Sequence, residues 1–352
     1  MQLNISDLIR FSAPEIVDKY GKFNIHPIPE MASFGVRSVP IDGNHYEKLH
    51  RISPKFHNRF VLEVPSALVL GGAFRILDWE SQTLIHHPFL DWSHEDLDSW
   101  KVRFNMAIPE RAEIVQGRTV LLDGTWSLPF FHFVSETLGK IYVLDKYRGF
   151  KTADKIFLNT RGKKYADWWC DALGIDVKPL PNHPILCDSL ILPSYSQHCG
   201  FFSTDLIDFL NASVEKLNLE SGEKENHKHI YIVRKGTRKV TNESNLLTSL
   251  RPYGFMPIVL EDYDVGDQAK IFRNAEIIIA PHGAGLTNLV FSLKKTTSVI
   301  ELFSKSYING CYAALSSQVG INYFYCVSEN EDDSGNYIVD IGLLEKFIKS
   351  II

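Results

Sequence analysis

One segment of the sequence constrains the fold more than any other: an apolar run that leads directly into a glycine-rich loop. The run is Glu276-Ile277-Ile278-Ile279-Ala280, which is typical of a strand buried on both faces of a parallel sheet. The loop that follows is Pro281-His282-Gly283-Ala284-Gly285-Leu286-Thr287-Asn288, and it opens a short helix. Loops at the carboxyl ends of parallel strands line the ligand crevice of α/β folds, and glycines let the amides of a helix start approach a phosphate. The segment predicts either an anion-binding loop or a tight strand-to-helix turn without a ligand.

Strand and helix patterns alternate on both sides of this loop. In the second half of the chain, strand patterns occupy 230–233, 256–260 and 298–302, with helical patterns near 245–250 and 268–274. In the first half, strand patterns lie at 67–70, 73–77, 119–122, 155–158 and 187–192, and helical patterns at 131–144, 166–173 and 203–217. Such alternation predicts an α/β fold with doubly wound parallel sheets.

The length of 352 residues suits two α/β domains of ordinary size. The polar stretch Glu220 to Lys228, which contains Gly222, is the predicted boundary. We therefore expect an N-terminal domain over 1–222 and a C-terminal domain over 223–335. Residues 1–60 are rich in proline and histidine, show weak periodicity and receive no assignment.

Composition excludes several classes of protein. A net charge of -5 leaves no basic surplus for a nucleic-acid backbone, so nucleic acid is not an expected partner. The N-terminus lacks the pattern of a signal peptide, and no apolar run approaches the length of a membrane span. We expect a cytoplasmic protein with at most peripheral contact with the inner membrane. Five scattered cysteines without a C-x-x-C pair indicate free thiols rather than a metal site or disulfides.

Charged residues accompany the glycine loop in the predicted second domain. Arg234 ends the first strand and Arg238 follows four residues later; guanidinium groups suit the oxygens of a diphosphate, although a solvated basic loop would have the same sequence. Glu301 ends the strand after the glycine loop, where a carboxylate can accept hydrogen bonds from two ribose hydroxyls. The alternative for Glu301 is a strand-end charge that faces water.

The order and spacing of these residues resemble a known family. Arg234 to Glu243, Gln268, His282 to Asn288 and Val299 to Leu302 are similar to the signature series of glycosyltransferase family 61. Upstream, Phe131-His132-Phe133 with Glu136 resembles the aromatic-His-x3-acid helix of that family, and the glycine hairpin near Gly71 resembles its opening segment. The resemblance covers roughly Pro65 to Phe303.

The resemblance implies a GT-B architecture, in which two Rossmann-like domains face each other across a cleft and the second binds the donor. It also implies inversion at the anomeric carbon without an obligatory metal or other cofactor, and a role in capsular or other surface-polysaccharide assembly for a bacterial member. The C-terminal helix, within 336–352, is expected to pack back on the first domain, as in other GT-B chains. The implied partners are a nucleotide-sugar donor, for which we expect a UDP-sugar, and a saccharide or lipid-linked saccharide acceptor. The implied donor-binding residues are Arg234, Arg238, Gln268, His282, Gly283, Ala284, Gly285, Leu286, Thr287, Asn288 and Glu301.

Three residues of the first domain are candidates for the base of an inverting transfer. His132 and Glu136 are four residues apart on one predicted helix and share a face, and Asp123 ends the preceding strand. Either member of the pair can serve as the base or orient the other. The alternative is that this helix start is structural.

Three other functions fit parts of the pattern. A nucleotide-sugar epimerase can use the same fold and donor site without an acceptor. A non-catalytic sugar-binding component of a polysaccharide complex would tolerate loss of His132 and Glu136. A dinucleotide oxidoreductase fits less well, because the glycine loop follows a late strand and lacks the three-glycine spacing.

Overall fold

The computed structural model describes residues 23–24, 38–50, 59–70, 75–79, 83–85, 112–124, 127–147, 153–196, 201–217 and 227–352. It is a mixed α/β structure that divides into two compact units. Among the described residues, 23–24 and 59–196 belong to the first unit, and 38–50 and 201–352 to the second.

Strands and helices alternate along most of the described chain. The strands are β1 (Phe23–Asn24), β2 (Val39–Pro40), β3 (Phe60–Leu70), β4 (Arg75–Asp78), β5 (Thr83–Ile85), β6 (Glu113–Leu121), β7 (Lys155–Phe157), β8 (Ile185–Pro193), β9 (His229–Ile232), β10 (Phe255–Ile258), β11 (Ile277–Pro281), β12 (Ser298–Ser304) and β13 (Asn322–Ser328). The α-helices are α1 (Glu47–His50), α2 (Phe130–His132), α3 (Leu138–Tyr147), α4 (Lys164–Leu173), α5 (Thr204–Glu215), α6 (Glu243–Leu250), α7 (Val265–Asn274), α8 (Cys311–Val319) and α9 (Ile341–Ile351). A π-helical segment, Phe133–Thr137, joins α2 to α3, and 3-10 helices span Arg251–Tyr253, Leu260–Asp262 and Ala284–Phe291.

The first unit contains a mixed sheet, in which only some of the strands follow the predicted doubly wound parallel pattern. Its seven strands run β5-β4-β3-β8-β6-β7, with β1 paired to β3. Strands β6, β7 and β8 are parallel, whereas β3 is antiparallel to β1, β4 and β8. The reason is connectivity: β3, β4 and β5 follow one another closely and pair as a meander, which needs no helical crossover. The predicted Gly71 hairpin turn lies outside the described residues.

The second unit has the predicted parallel, doubly wound sheet. Six parallel strands run β10-β9-β11-β12-β13-β2. If β9 to β13 are numbered 1 to 5 along the chain, their order in the sheet is 2-1-3-4-5. This is the strand order of flavodoxin-like folds. The strand order reverses between β9 and β11, so the loops after these two strands flank the topological switch point.

The boundary between the units falls earlier than Glu220. Helix α5, expected in the first domain, belongs to the second unit. Its Asn211 is 6% exposed and donates from Nδ2 to the carbonyl of Val290, at 2.8 Å, in the 3-10 helix after the glycine loop. Residues 38–50 also belong to the second unit, where β2 pairs with β13. Residues 220–226 of the predicted boundary segment lie outside the described residues.

The C-terminal helix packs in the second unit, contrary to the expectation that it returns to the first domain. Leu344 and Ile348 of α9 are buried in one apolar cluster with Leu246 and Leu250 of α6. The apolar face of α9 therefore completes the core on the α6 side of the parallel sheet. Within the described part of the chain, no helix is long and apolar enough to cross a membrane.

We expect Ile348→Ala to lower the free energy of unfolding by about 2–5 kcal/mol, because it removes a fully buried side chain from this core. The measurement is urea unfolding of the whole chain. Lys349→Ala, an exposed neighbour on the same helix, is the matched control and should stay within about 0.5 kcal/mol of the parent. Equal stability of Ile348→Ala and Lys349→Ala would contradict the position of α9.

Candidate functional site

The glycine loop and the first arginine meet at the switch point of the parallel sheet. Arg234 follows β9, and its Nε donates to the carbonyl of Thr237 at 2.8 Å, which fixes the guanidinium. A Cβ built on Gly283 would lie 1.7 Å from Nη1 of Arg234. The guanidinium thus occupies the space that any other side chain at 283 would need, and a side chain there would displace it.

Arg238 lies near Arg234 in an unusual backbone conformation. Its φ of 59° and the φ of 90° at Gly236 make the loop after β9 compact. Its Nη1 is buried and has no hydrogen-bond partner among the described residues. Burial, and then the positive charge of Arg238, lowers the pKa of Arg234 below its usual value. The charge of Arg234, disfavoured by burial and by a second guanidinium nearby, would be stabilised by a bound anion.

His282 is held by a buried carboxylate on the neighbouring strand. Its Nδ1 lies 2.5 Å from Oε1 of Glu301, and the other carboxylate oxygen accepts a hydrogen bond from the Tyr323 hydroxyl at 2.5 Å. The His282 ring stacks on Phe303, with centroids 5.1 Å apart. Because the carboxylate accepts, Nδ1 is the donor, so the tautomer and orientation of His282 are set by Glu301.

This arrangement gives Glu301 a different position from the one expected. The residue is 0% exposed and both oxygens already have partners. A ribose contact requires an accessible carboxylate, so the geometry assigns Glu301 to holding His282 and Tyr323 rather than to the ligand surface.

The remaining residues of the glycine loop differ in exposure: Ala284 is exposed, whereas its neighbours pack or hydrogen-bond within the unit. Ala284 is exposed and begins the 3-10 helix Ala284–Phe291, so its amide lies in the first turn, where helical amides lack intrahelical partners. The amide of Leu286 is already bonded to the carbonyl of Gly283 at 3.0 Å. A Cβ on Gly285 would lie 2.6 Å from Cδ1 of Leu260, so this glycine permits close packing within the unit.

Gln268, Thr287 and Asn288, predicted to bind the donor, lie in the support of the loop. Asn288 donates from Nδ2 to Oε1 of Gln268 at 2.8 Å and to the carbonyl of Gly285 at 3.1 Å. Gln268 in turn donates to the carbonyl of Leu260 at 2.9 Å. Thr287 is fully buried, with its hydroxyl 3.4 Å from that of Tyr312. These side chains fix the shape of the loop.

The first unit carries the three candidate bases. Nδ1 of His132 lies 2.7 Å from Oε1 of Glu136, as their spacing of four residues predicts. Side-chain exposure is 22% for His132 and 5% for Glu136, so the imidazole is the more accessible partner. The pair spans the junction of α2 with the π-helical segment Phe133–Thr137, and such π-helical turns occur frequently at functional sites.

Asp123 lies at the carboxyl end of β6 and is 7% exposed. Burial raises the pKa of its carboxyl, while the Ser127 hydroxyl, the amides of Asn159 and Gly124 and the charge of Lys140 oppose this increase. The Ser127 hydroxyl donates to Oδ1 at 2.6 Å. Lys140, itself 4% exposed, lies with Nζ 4.8 Å from the ring centroid of Tyr195. Asp123 thus belongs to a buried polar cluster within the first unit.

Several residues of these clusters were not predicted, among them three tyrosines and a lysine. Tyr307, Tyr312 and Tyr323 contact His282 or Glu301, and Lys140 lies one helical turn beyond Glu136. The spacing of Lys140 from His132 and Glu136 could have revealed it, because all three share a helix face. The tyrosines have no such signal, since only the strand order brings them to the glycine loop. No group of three potential metal ligands occurs among the described residues.

A known protein family matches the part of the chain that runs from the His132 cluster to the glycine loop. The family model described as Glycosyltransferase 61 matches residues 130–300, just under half of the chain. The match begins at α2, which carries His132, and extends through the glycine loop into β12. The segment from α2 to β12 is therefore similar to the glycosyltransferase 61 family.

Similar curated proteins are animal enzymes described as EGF domain-specific O-linked N-acetylglucosamine transferase. The Canis lupus familiaris protein is 29% identical over 157 residues, which cover 42% of this chain and 29% of the relative. The Mus musculus protein is 31% identical over 140 residues, or 38% of this chain and 25% of the relative. The Drosophila melanogaster protein is 36% identical over 89 residues, or 24% and 17%. The chain spans less than a third of the length of these relatives. The matches support a glycosyltransferase and give no support to a bacterial capsular role.

The raised pKa of Asp123 predicts a dependence of stability on pH. Because the folded state binds this proton more tightly than the unfolded state, the carboxyl's contribution to stability is present below its ordinary pKa of 3.8 and is lost as the pH rises through the raised value. We expect the free energy of unfolding of the parent to fall relative to that of Asp123→Asn as the pH rises above about 3.8. Urea unfolding of both proteins across this range is the measurement. Parallel pH curves would contradict the prediction.

Proposed function

We propose that the chain is an inverting, metal-independent glycosyltransferase that moves a sugar from a UDP-sugar to a saccharide acceptor. The observation that carries the proposal is the pair of guanidinium groups, Arg234 and Arg238, beside the glycine loop at a topological switch point. Under this proposal the second unit binds the donor and the first supplies the base, which is the division of roles in a GT-B enzyme.

The leaving diphosphate needs positive charge as its bond to the anomeric carbon breaks. Arg234 and Arg238 supply two fixed cationic groups, and the amide of Ala284 adds a donor at the helix start. Groups that are held in place before the reaction stabilise developing charge without reorganisation. This arrangement can replace a divalent cation, and for that reason we propose a metal-independent transfer.

The acceptor hydroxyl must lose its proton as its oxygen attacks the anomeric carbon. We propose that Glu136 is the base or its orienting partner, and that His132 contacts the acceptor or the donor sugar. The 2.7 Å contact between them supports a joint role, because a carboxylate on Nδ1 leaves Nε2 of His132 as the acceptor. Asp123 is the next candidate, since a carboxyl with a raised pKa accepts a proton more readily.

The relatives suggest the first donor to test. Their name specifies transfer of N-acetylglucosamine, so UDP-N-acetylglucosamine is the first substrate we would supply. Three statements stay predictions: a saccharide or lipid-linked saccharide acceptor, a role in surface-polysaccharide assembly, and a cytoplasmic location with at most peripheral contact with the inner membrane.

For the donor site, we expect UDP to bind the intact chain and Arg238→Ala to weaken that binding by about 1.5–3 kcal/mol, the contribution of a charged hydrogen bond. Gly283→Ala should weaken it too, because the new Cβ displaces the Arg234 guanidinium. Isothermal titration measures the affinities. Gly342→Ala, where the Cβ makes only an ordinary contact, is the matched control and should bind as the parent does. Unchanged affinity in both Arg234→Ala and Arg238→Ala would refute the site.

For catalysis, we expect Glu136→Gln to reduce turnover about a hundredfold or more while UDP affinity stays unchanged, because a base acts on the reaction and not on donor binding. Release of UDP from UDP-N-acetylglucosamine with and without a panel of saccharides is the measurement. Interconversion of donor sugars without acceptor would indicate an epimerase instead. If Glu136→Gln and His132→Ala both keep normal turnover, the helix is structural and Asp123 is tested next.

A further inference from the structure

The loop after β12 places an exposed tyrosine against the second arginine of the proposed donor site. Tyr307 follows β12 by three residues, and its amide donates to the carbonyl of Ser304 at 3.2 Å. The residue is 44% exposed. Neither the sequence motifs nor the proposed reaction gives Tyr307 a role.

The ring of Tyr307 lies under the Arg238 guanidinium. Cζ of Arg238 is 4.2 Å from the ring centroid, well within the range in which a cation is attracted to an aromatic face. The same ring is 5.3 Å from that of His282. Tyr307 therefore contacts two of the groups that surround the proposed diphosphate position.

The rest of the Arg238 side chain is also fixed. The backbone of Arg238 has a φ of 59°, which disfavours a side chain. The turn that contains Gly335 lies beside its stem, since a Cβ on Gly335 would be 3.6 Å from Cγ of Arg238. The amide of Ser306 donates to Oε2 of Glu331 at 3.0 Å and joins this turn to the tyrosine loop.

One nitrogen of the guanidinium nevertheless remains unsatisfied. Nη1 of Arg238 is buried and finds no acceptor in the described part of the chain. A buried N–H without an acceptor loses its hydration without replacement, and this loss is larger when the group is charged. An arginine held in this way by an aromatic ring is arranged to receive an oxygen from a bound anion.

We propose that Tyr307 is a positioning residue for donor binding: its ring holds the Arg238 guanidinium so that Nη1 meets a diphosphate oxygen. The proposal rests on the proposed function of the second unit and deepens it. The aromatic ring of Tyr307, and not its hydroxyl, makes the contact with Arg238. Tyr307 therefore acts on the ligand through Arg238.

A double-mutant cycle tests this coupling in the whole chain. UDP and inorganic pyrophosphate are titrated into the parent, Tyr307→Leu, Tyr307→Phe, Arg238→Ala and the Arg238→Ala/Tyr307→Leu double variant. We expect Tyr307→Leu to raise the Kd about three- to thirtyfold, the range of a cation–π contact. Tyr307→Phe should stay within about twofold because it keeps the ring, and Tyr307→Leu should have little effect once Arg238 is absent.

The outcomes separate this inference from the function on which it rests. An equal loss from Tyr307→Leu in both backgrounds would mean that Tyr307 acts directly on the ligand or on the fold, and would overturn the proposal. A loss in Tyr307→Phe as large as in Tyr307→Leu would assign the effect to the hydroxyl and overturn it too. Coupled binding of pyrophosphate without binding of UDP would support the positioning role but remove the proposed donor. Binding of neither ligand to the parent would overturn both.

Discussion

The close approach of Arg234 to the backbone of Gly283 is the contact on which the proposed donor site depends. Nη1 of the arginine occupies the volume in which any other residue would place a Cβ. The contact exists because β9 and β11 are neighbours in a sheet whose strand order reverses between them, which brings the loops after both strands to one crevice. Sheet order brings the two loops together, and the absence of a side chain at Gly283 leaves room there for the guanidinium.

Buried carboxylates orient the histidines of both units. Glu301 contacts Nδ1 of His282 from a neighbouring strand, and Glu136 contacts Nδ1 of His132 from the same helix. In both pairs the side chain that bears the carboxylate is buried, with 0% exposure for Glu301 and 5% for Glu136. The cost of burying such a charge is offset only when it is hydrogen-bonded, and each imidazole supplies one such bond.

The sequence predicted the second unit better than the first, for a physical reason. In a parallel sheet each strand is a continuous apolar run and each crossover a helix, so patterns such as Ile277–Pro281 are strong and local. The first unit mixes parallel strands with a meander whose pairing depends on contacts distant in sequence, such as β3 with β8. The candidate site differs in the same way: residue types and spacing make His282 and Arg234 candidates, whereas the full burial of Glu301 depends on strand order. Tyr307 was missed because nothing in a lone tyrosine indicates that an arginine 69 positions earlier will lie over its ring.

Strand β2 makes the second unit discontinuous in sequence. Residues 38–50 supply a strand on the edge of β13, the buried Leu49, and a tyrosine, Tyr46, whose ring lies edge-on to that of Tyr325. A fragment that started at Gly200 would lack all three and would leave the edge of β13 open to pairing with other chains. The second unit is thus not a separable module: it can be inherited, expressed or exchanged intact only with a piece of chain that lies between two parts of the first unit.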